Sequence, residues 1–88
     1  MKIKSDFILK KMGDMSIVVA VGESAVTFNG VINLNSTAEF MWQQLSAGCT
    51  REELIESVLA EYDVTRDIVE KDIDNLLEKL RKENIIDE

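Results

Sequence analysis

The stretch VINLNSTAEFMWQQLSAG, residues 31 to 48, contains the change from strand to helix that decides the fold of this chain. Its first four residues, Val31–Leu34, are apolar or β-branched apart from one asparagine, which is typical of a short strand. Ser36–Glu39 then predicts a capping box, in which the serine hydroxyl accepts from a first-turn amide and the glutamate reaches back to the serine amide. A helix therefore follows directly on a strand, and Gly48 is placed to end it.

The sequence before this stretch predicts short strands separated by turns. Phe7–Met12 is rich in apolar residues, Met15–Val21 is rich in β-branched residues, and a Gly-Asp dipeptide marks the turn between them. Ala25–Phe28 is a further strand-like piece, and Asn29-Gly30 separates it from the quoted stretch. That dipeptide fits either a tight hairpin turn or a bulge in one longer strand, and both interpretations stay open.

Two more helices are predicted after Gly48. Thr50–Glu53 is a second capping box, Thr65 is the predicted cap of the third and longest helix, and Ile85-Ile86 would form an apolar tail that folds back onto the core. The predicted apolar positions of the three helices are Ala38, Met41, Trp42 and Leu45, then Leu54, Ile55, Val58, Leu59 and Tyr62, then Ile68, Val69, Ile73, Leu76, Leu77 and Leu80.

The order β-β-β-α-α-α predicts an α+β fold in which a small antiparallel three-stranded sheet is followed by three helices, as in winged helix-turn-helix proteins. A chain of 88 residues is long enough for one domain, so we expect residues 1–88 to form a single domain. No stretch has the composition of a signal peptide or the length of a membrane span, and a cytoplasmic location is expected.

The composition argues against several classes of function. A formal net charge of −7 disfavours binding to nucleic acid or to anionic membranes. The absence of histidine excludes His-containing metal sites and His-dependent catalysis within one chain, and Cys49 is the only cysteine. The four glycines are isolated, so no phosphate-binding loop is present. We therefore expect no metal, no cofactor and no enzymatic activity.

One stretch, Ser24–Ala38, lacks charged residues in a chain in which 31% of residues are charged. Edge strands of native sheets usually carry Lys, Pro or other features that block further pairing. If the strand in this stretch lies at a sheet edge, its main chain can pair with an added peptide strand. The alternative is a strand that is buried on both faces or covered by the third helix, and physical reasoning alone ranks burial slightly ahead of docking.

The third helix offers a second surface for such a peptide. Asp72, Leu76 and Lys79 lie at helical spacing on one face, so an apolar floor would be flanked by two charges. In the alternative interpretation Asp72 lies on the solvated margin of the helix and pairs with a nearby base, and the leucines belong to the core.

A combination of sequence blocks resembles a known family. The blocks are Phe7-Ile8-Leu9, Asn29–Ala38, Met41-Trp42, Leu45, Thr50–Leu54, Tyr62, Asp72-Ile73, Leu76-Leu77, Leu80 and Ile85-Ile86. Together they resemble the PqqD-like family, which takes its name from pyrroloquinoline quinone biosynthesis protein D. Domains of this family are also called ribosomal-peptide recognition elements. The resemblance covers nearly the whole chain.

This resemblance implies a peptide-binding domain that does not bind DNA. Such domains hold the leader segment of a ribosomally made precursor peptide for a separate modifying enzyme, often a radical S-adenosylmethionine protein. The leader would pair as a strand along Val31, Ile32 and Asn33, and Trp42 and Leu45 would form core beneath it. On the third helix it would pack against Val69, Asp72, Ile73, Leu76 and Lys79. Family members that act in quinone synthesis usually have a shorter, proline-containing turn before the third strand, whereas this chain has no proline and a longer Val21–Asn29 segment. This departure from the family pattern favours a modified peptide other than the quinone precursor.

Three other classes of function compete with peptide binding. A winged-helix regulator of transcription needs a basic recognition helix, but acids outnumber bases between Thr65 and Asn84. An enzyme needs a nucleophile and base, a metal-ligand spacing or a cofactor loop, and the sequence contains none of these. A homodimerisation module is compatible with the open strand, because two copies could pair through the same edge.

Overall fold

The computed structural model describes residues 1–23, 25 and 32–88. Its elements are β1 (Lys2–Ile3), β2 (Phe7–Met12), β3 (Met15–Ala20), β4 (Ile32–Leu34), α1 (Ser36–Ala47), α2 (Arg51–Glu61), α3 (Arg66–Lys82) and β5 (Ile86–Asp87). This order confirms the predicted α+β fold, in which an antiparallel three-stranded sheet precedes three helices. Apart from Ala25, the expected strand at Ala25–Phe28 and the Asn29-Gly30 dipeptide lie outside the described residues.

The three-stranded sheet has the order β2-β3-β4, with both neighbours of β3 antiparallel to it. β2 and β3 form a hairpin that closes at the Met12↔Met15 pair, and Gly13 adopts a φ of 63° in the two-residue turn. A positive φ at this position suits glycine, because a side chain there would clash with the main chain. The two-residue turn fixes the register of the β2–β3 hairpin.

A second, two-stranded sheet joins the ends of the described chain. Ile3 of β1 pairs with Ile86 of β5, and the amide of Lys4 donates to the carbonyl of Ile85 at 2.9 Å. Ile85 and Ile86 are buried, which confirms that this apolar tail folds back onto the core. The sequence did not predict that the tail does so as a strand, because a two-residue strand has too few positions to show an alternating pattern.

The predicted cap of α1 was wrong by one residue. Asn35, not Ser36, is the N-cap, and its side-chain oxygen accepts from the amide of Ala38 at 2.9 Å. Asparagine is at least as good an N-cap as serine, so Ser36 becomes the first helical residue. Glu39 lies 3.6 Å from the ammonium of Lys11 in an ion pair, and it does not complete a capping box with Ser36.

The other helix boundaries follow the sequence more closely. The Thr50 hydroxyl accepts from the amide of Glu53, whose carboxylate accepts from the amide of Thr50, so the second capping box is confirmed. Gly48 ends α1 with a φ of 93°, as expected of a C-terminal glycine. Thr65 occupies the N-cap position of α3 but makes no side-chain capping hydrogen bond.

The core lies where the helices pack against one face of the sheet and against each other. Ile68, predicted as part of the apolar face of α3, is instead 54% exposed. It lies more than one helical turn before the fully buried Ile73, at a position on α3 that no other described element covers. The buried hydrophobic residues are Ile3, Phe7, Val18, Leu34, Met41, Trp42, Leu45, Leu54, Ile55, Val58, Val69, Ile73, Leu76, Leu77, Leu80, Ile85 and Ile86.

We predict that Leu77→Ala lowers the free energy of unfolding by about 2–5 kcal/mol, because it removes a fully buried side chain and leaves a cavity. Urea unfolding followed by the fluorescence of Trp42 measures this change. The control is Glu78→Ala, which alters an exposed neighbour on the same helix and should shift the free energy by no more than about 0.5 kcal/mol. Equal effects of the two substitutions would contradict the described core.

Candidate functional site

An open groove of about 360 Å³ lies between β4 and α3. It brings together five of the residues that the sequence predicted as a binding site: Asn33, Val69, Asp72, Leu76 and Lys79. The complete lining consists of Asn33, Leu34, Asn35, Thr37, Ala38, Met41, Val58, Tyr62, Val64, Ile68, Val69, Asp72, Asn75, Leu76 and Lys79.

The other predicted site residues lie elsewhere. Ile73 is fully buried in the core and does not line the groove. Ile32 is half-buried opposite Val18 in the sheet and is likewise absent from the lining. Val31 lies outside the described residues. Ile73 therefore supports the groove from behind, since its helical neighbours Val69 and Leu76 line the groove.

β4 is an edge strand in the part of the chain that the structure describes. It pairs with β3 on one side, and no described strand pairs with it on the other side. We call this unpaired side of β4 the open edge. The alternative, a strand buried on both faces, does not fit Asn33, which is exposed although Leu34 is buried. The pairing of β3 with its two neighbours determines which main-chain groups of β4 face the open edge.

The main-chain groups of β3 alternate in direction between its two neighbours, as in any antiparallel ladder. The amide of Val21 donates to the carbonyl of Asp6 at 2.7 Å, in the position that continues the β2–β3 register. Val21 and the other odd-numbered residues of this segment therefore direct their main-chain groups towards β2. The even-numbered residues, which include Ser16 and Val18, direct theirs towards β4.

The same alternation fixes the direction of the main-chain groups in β4. Leu34 and Ile32 are the register partners of Ser16 and Val18, so these two pairs are the hydrogen-bonded ones. Asn33 lies between them and must direct its amide and carbonyl away from β3. The open edge therefore presents one donor and one acceptor at Asn33, directly beside the groove.

The floor of the groove is apolar. Leu34, Met41, Val69 and Leu76 line it, and all four are buried in the core. These side chains come from β4, α1 and α3, so three elements of the fold must be in place to form the floor. A surface of this kind binds apolar side chains by removing them from water.

Tyr62 is a lining residue that the sequence assigned to the core. Its ring meets that of Phe40 edge to face, with the ring centroids 5.6 Å apart and the planes at 85°. This arrangement is favourable for aromatic pairs and holds the tyrosine at the margin of the groove. It also accounts for Phe40, which lies off the apolar stripe of α1 and is half-buried against the core.

Asp72 and Lys79 are the charged side chains of the lining. Both are exposed, and within the described residues neither side chain takes part in an ion pair or a hydrogen bond. The alternative prediction, in which Asp72 pairs with a nearby base, therefore finds no support in the described part of the chain.

Several charged side chains of α3 form ion pairs outside the groove. Arg66 binds Glu52 at 2.6 Å, and its guanidinium lowers the pKa of that carboxyl. Arg51 binds Asp74 at 2.8 Å and likewise lowers the pKa of Asp74. These ion pairs join α2 to α3 outside the groove, and they leave the charges inside it available to a ligand.

The sequence missed part of the lining. Val64 and Ile68 are 41% and 54% exposed, and they extend the apolar surface beyond the buried floor. Asn75 lies within one helical turn of both Asp72 and Lys79, and that spacing alone would have placed it on the same face. Val64 precedes α3, so no periodic pattern could have identified it.

The fold and the groove define a winged-helix-like α+β domain with an open strand edge beside a helix. The sequence profile described as coenzyme PQQ synthesis protein D (PqqD) matches residues 17–86. The chain therefore belongs to the PqqD family. Curated protein sequences gave no significant match.

A solved structure shares the fold. It is described as TbiB1 in complex with the TbiA(beta) leader peptide, and it is 24% identical in sequence to this chain. The alignment covers 99% of this chain and 95% of that one, with a TM-score of 0.78. Among the described residues, no group of three or more potential metal-ligating side chains occurs, and no helix combines the length and apolar character required to cross a membrane.

We predict that Asp72→Asn and Lys79→Glu each change the free energy of unfolding by no more than about 0.5 kcal/mol, because the described structure gives neither side chain a partner to lose. Leu76→Ala, one turn away on the same face, should lower it by about 2–5 kcal/mol. Urea unfolding of the three variants measures the difference. A loss above 1 kcal/mol for either charge variant would assign that residue a structural role.

Proposed function

We propose that this chain is a single, non-catalytic domain over residues 1–88 that binds the leader segment of a ribosomally synthesised precursor peptide and presents it to a separate modifying enzyme in the cytoplasm. The observation that carries the proposal is the position of Asn33, whose outward main-chain groups lie beside an apolar groove. A peptide strand added at the open edge would bond to Asn33 and lie over the groove.

The dimensions of a sheet fit this arrangement. An added strand lies about 4.8 Å from β4, and its side chains point alternately to the two faces of the sheet. Every second side chain would therefore enter the groove between β4 and α3, where Leu34, Val69 and Leu76 form the floor. Main-chain bonds would give affinity for any extended segment, and the groove would select the sequence.

The relatives support a peptide as the ligand. The chain belongs to the PqqD family, and the solved structure with the same fold is described as a complex with a leader peptide. The described lining consists of apolar side chains, amides, hydroxyls and two isolated charges, which are groups that recognise a ligand and hold its orientation.

The partner that we expect is a separate modifying enzyme, which for domains of this kind is often a radical S-adenosylmethionine protein. The precursor that we expect is a peptide other than the quinone precursor, because the chain lacks proline and has a long segment before β4. A short open reading frame beside this gene, next to one for a radical enzyme, would supply both the peptide and the partner for direct tests.

A homodimer is the second candidate for the open edge. Antiparallel pairing is self-complementary, so two copies could join β4 to β4 about a two-fold axis. Such a dimer would occupy the same main-chain groups as the peptide, and the two would compete. Sedimentation over a range of protein concentrations, with and without peptide, distinguishes a dimer that the peptide dissociates from a monomer that binds it.

We predict that Asn33→Pro weakens binding of the neighbouring gene's leader peptide by about tenfold or more while the domain stays folded. The proline removes the one outward amide in β4 and places a ring where the added strand must lie, and an edge strand tolerates proline when its amide faces outward. Anisotropy of a fluorescently labelled leader peptide measures the affinity.

Two further variants complete this test. Ile32→Pro removes an amide that bonds to β3, so it should destabilise the domain itself, and unfolding in urea should show this. Asn33→Ala keeps the main chain and should retain most of the affinity. Strand addition would be rejected if the alanine and proline variants at this position bound the peptide equally well.

A further inference from the structure

We infer that Asp72 and Lys79 determine the charge pattern of the bound segment. The segment would carry a basic side chain opposite Asp72, an apolar side chain over Leu76 and an acidic side chain opposite Lys79. This inference rests on the proposed function, because it assigns the specificity of the same groove.

The spacing along α3 supports three successive contacts. Asp72 and Lys79 are seven residues apart, which places them on one face with about 10.5 Å between them along the helix axis. Side chains on one face of a strand recur about every 6.7 Å, so the first and third of them are about 13 Å apart. For an added strand that runs along α3, the long side chains of Lys, Arg and Glu would span the difference, and the second of the three side chains would lie over Leu76.

The absence of internal partners makes these two charges selective. A peptide that covers the groove removes water from Asp72 and Lys79, and the described residues offer neither of them an opposite charge. A peptide with matching charges forms ion pairs that compensate for the lost hydration, whereas a peptide with uncharged or like-charged side chains leaves Asp72 and Lys79 unpaired. Asn75, which lies between them, can both donate and accept, so it does not discriminate.

The main chain favours one direction for the peptide. Asn33 supplies one donor and one acceptor, and an antiparallel strand can bond to both through a single residue, whereas a parallel strand uses slanted, slightly weaker bonds. For a segment in the antiparallel direction, only one order of basic, apolar and acidic residues places each charge opposite its partner on α3. The two charges therefore select the order of the side chains.

The chain allows a charge-neutral test. The double variant Asp72→Lys/Lys79→Glu reverses the charges in the groove and keeps the net charge of −7, so the long-range field of the protein is unchanged. The matched control is Asp67→Lys/Lys71→Glu, which exchanges two exposed charges on α3 that do not line the groove. Circular dichroism and urea unfolding establish that both double variants are folded.

Wild type and the two double variants are each used to select binders from an mRNA-displayed library of random twelve-residue peptides. Wild type should enrich peptides with a basic and an acidic residue four positions apart on either side of an apolar residue, in one order. The double variant in the groove should enrich the opposite order, and each pool should bind its own protein at least tenfold more tightly than the other. The control variant should select the wild-type pattern.

The outcomes distinguish this inference from the proposed function. Pools that depend on Asn33, as shown by loss of binding to Asn33→Pro, but have the same charges for wild type and for the groove variant would overturn the inference alone. Pools that bind Asn33→Pro as well as wild type, or a library from which no peptide is enriched, would overturn strand addition and the inference together.

Discussion

The pairing of β3 with β4 is the constraint on which the candidate site depends. Val18 and Ser16 are buried on the core side of the sheet, and their main-chain bonds to Ile32 and Leu34 fix the register of β4. Because that register is fixed, Asn33 must direct its main-chain groups to the open edge. A slip of one residue would reverse this orientation and would move Leu34 out of the core.

An open edge is ordinarily a risk, since it can pair with other chains. Here the described strand is only three residues long, which limits the number of main-chain bonds that an unrelated strand could form. The neighbouring groove adds a requirement for particular side chains. In the proposed complex, affinity and specificity would come from different parts of the site: the sheet edge would supply sequence-independent bonds, and α3 would supply apolar surface and charge.

Local features were predictable from the sequence, and features that depend on tertiary packing were not. The capping box at Thr50 and the terminating glycine at Gly48 involve groups within a few residues of each other, so the sequence indicated them correctly. For α1 two adjacent residues could cap the helix, and the local pattern did not decide between Asn35 and Ser36. The exposure of Ile68 depends on which parts of α3 other elements cover, and helical periodicity carries no information about that.

The central claim is that the amide of Asn33 faces an unoccupied sheet edge, and amide hydrogen exchange in the free protein tests it without a ligand. The account predicts that the amide of Asn33 exchanges rapidly with solvent in NMR spectra of the ¹⁵N-labelled domain, while those of Ile32 and Leu34 are protected by their bonds to β3. Slow exchange at Asn33, with protection equal to that of its two neighbours, would show that the edge is already paired and would contradict the account.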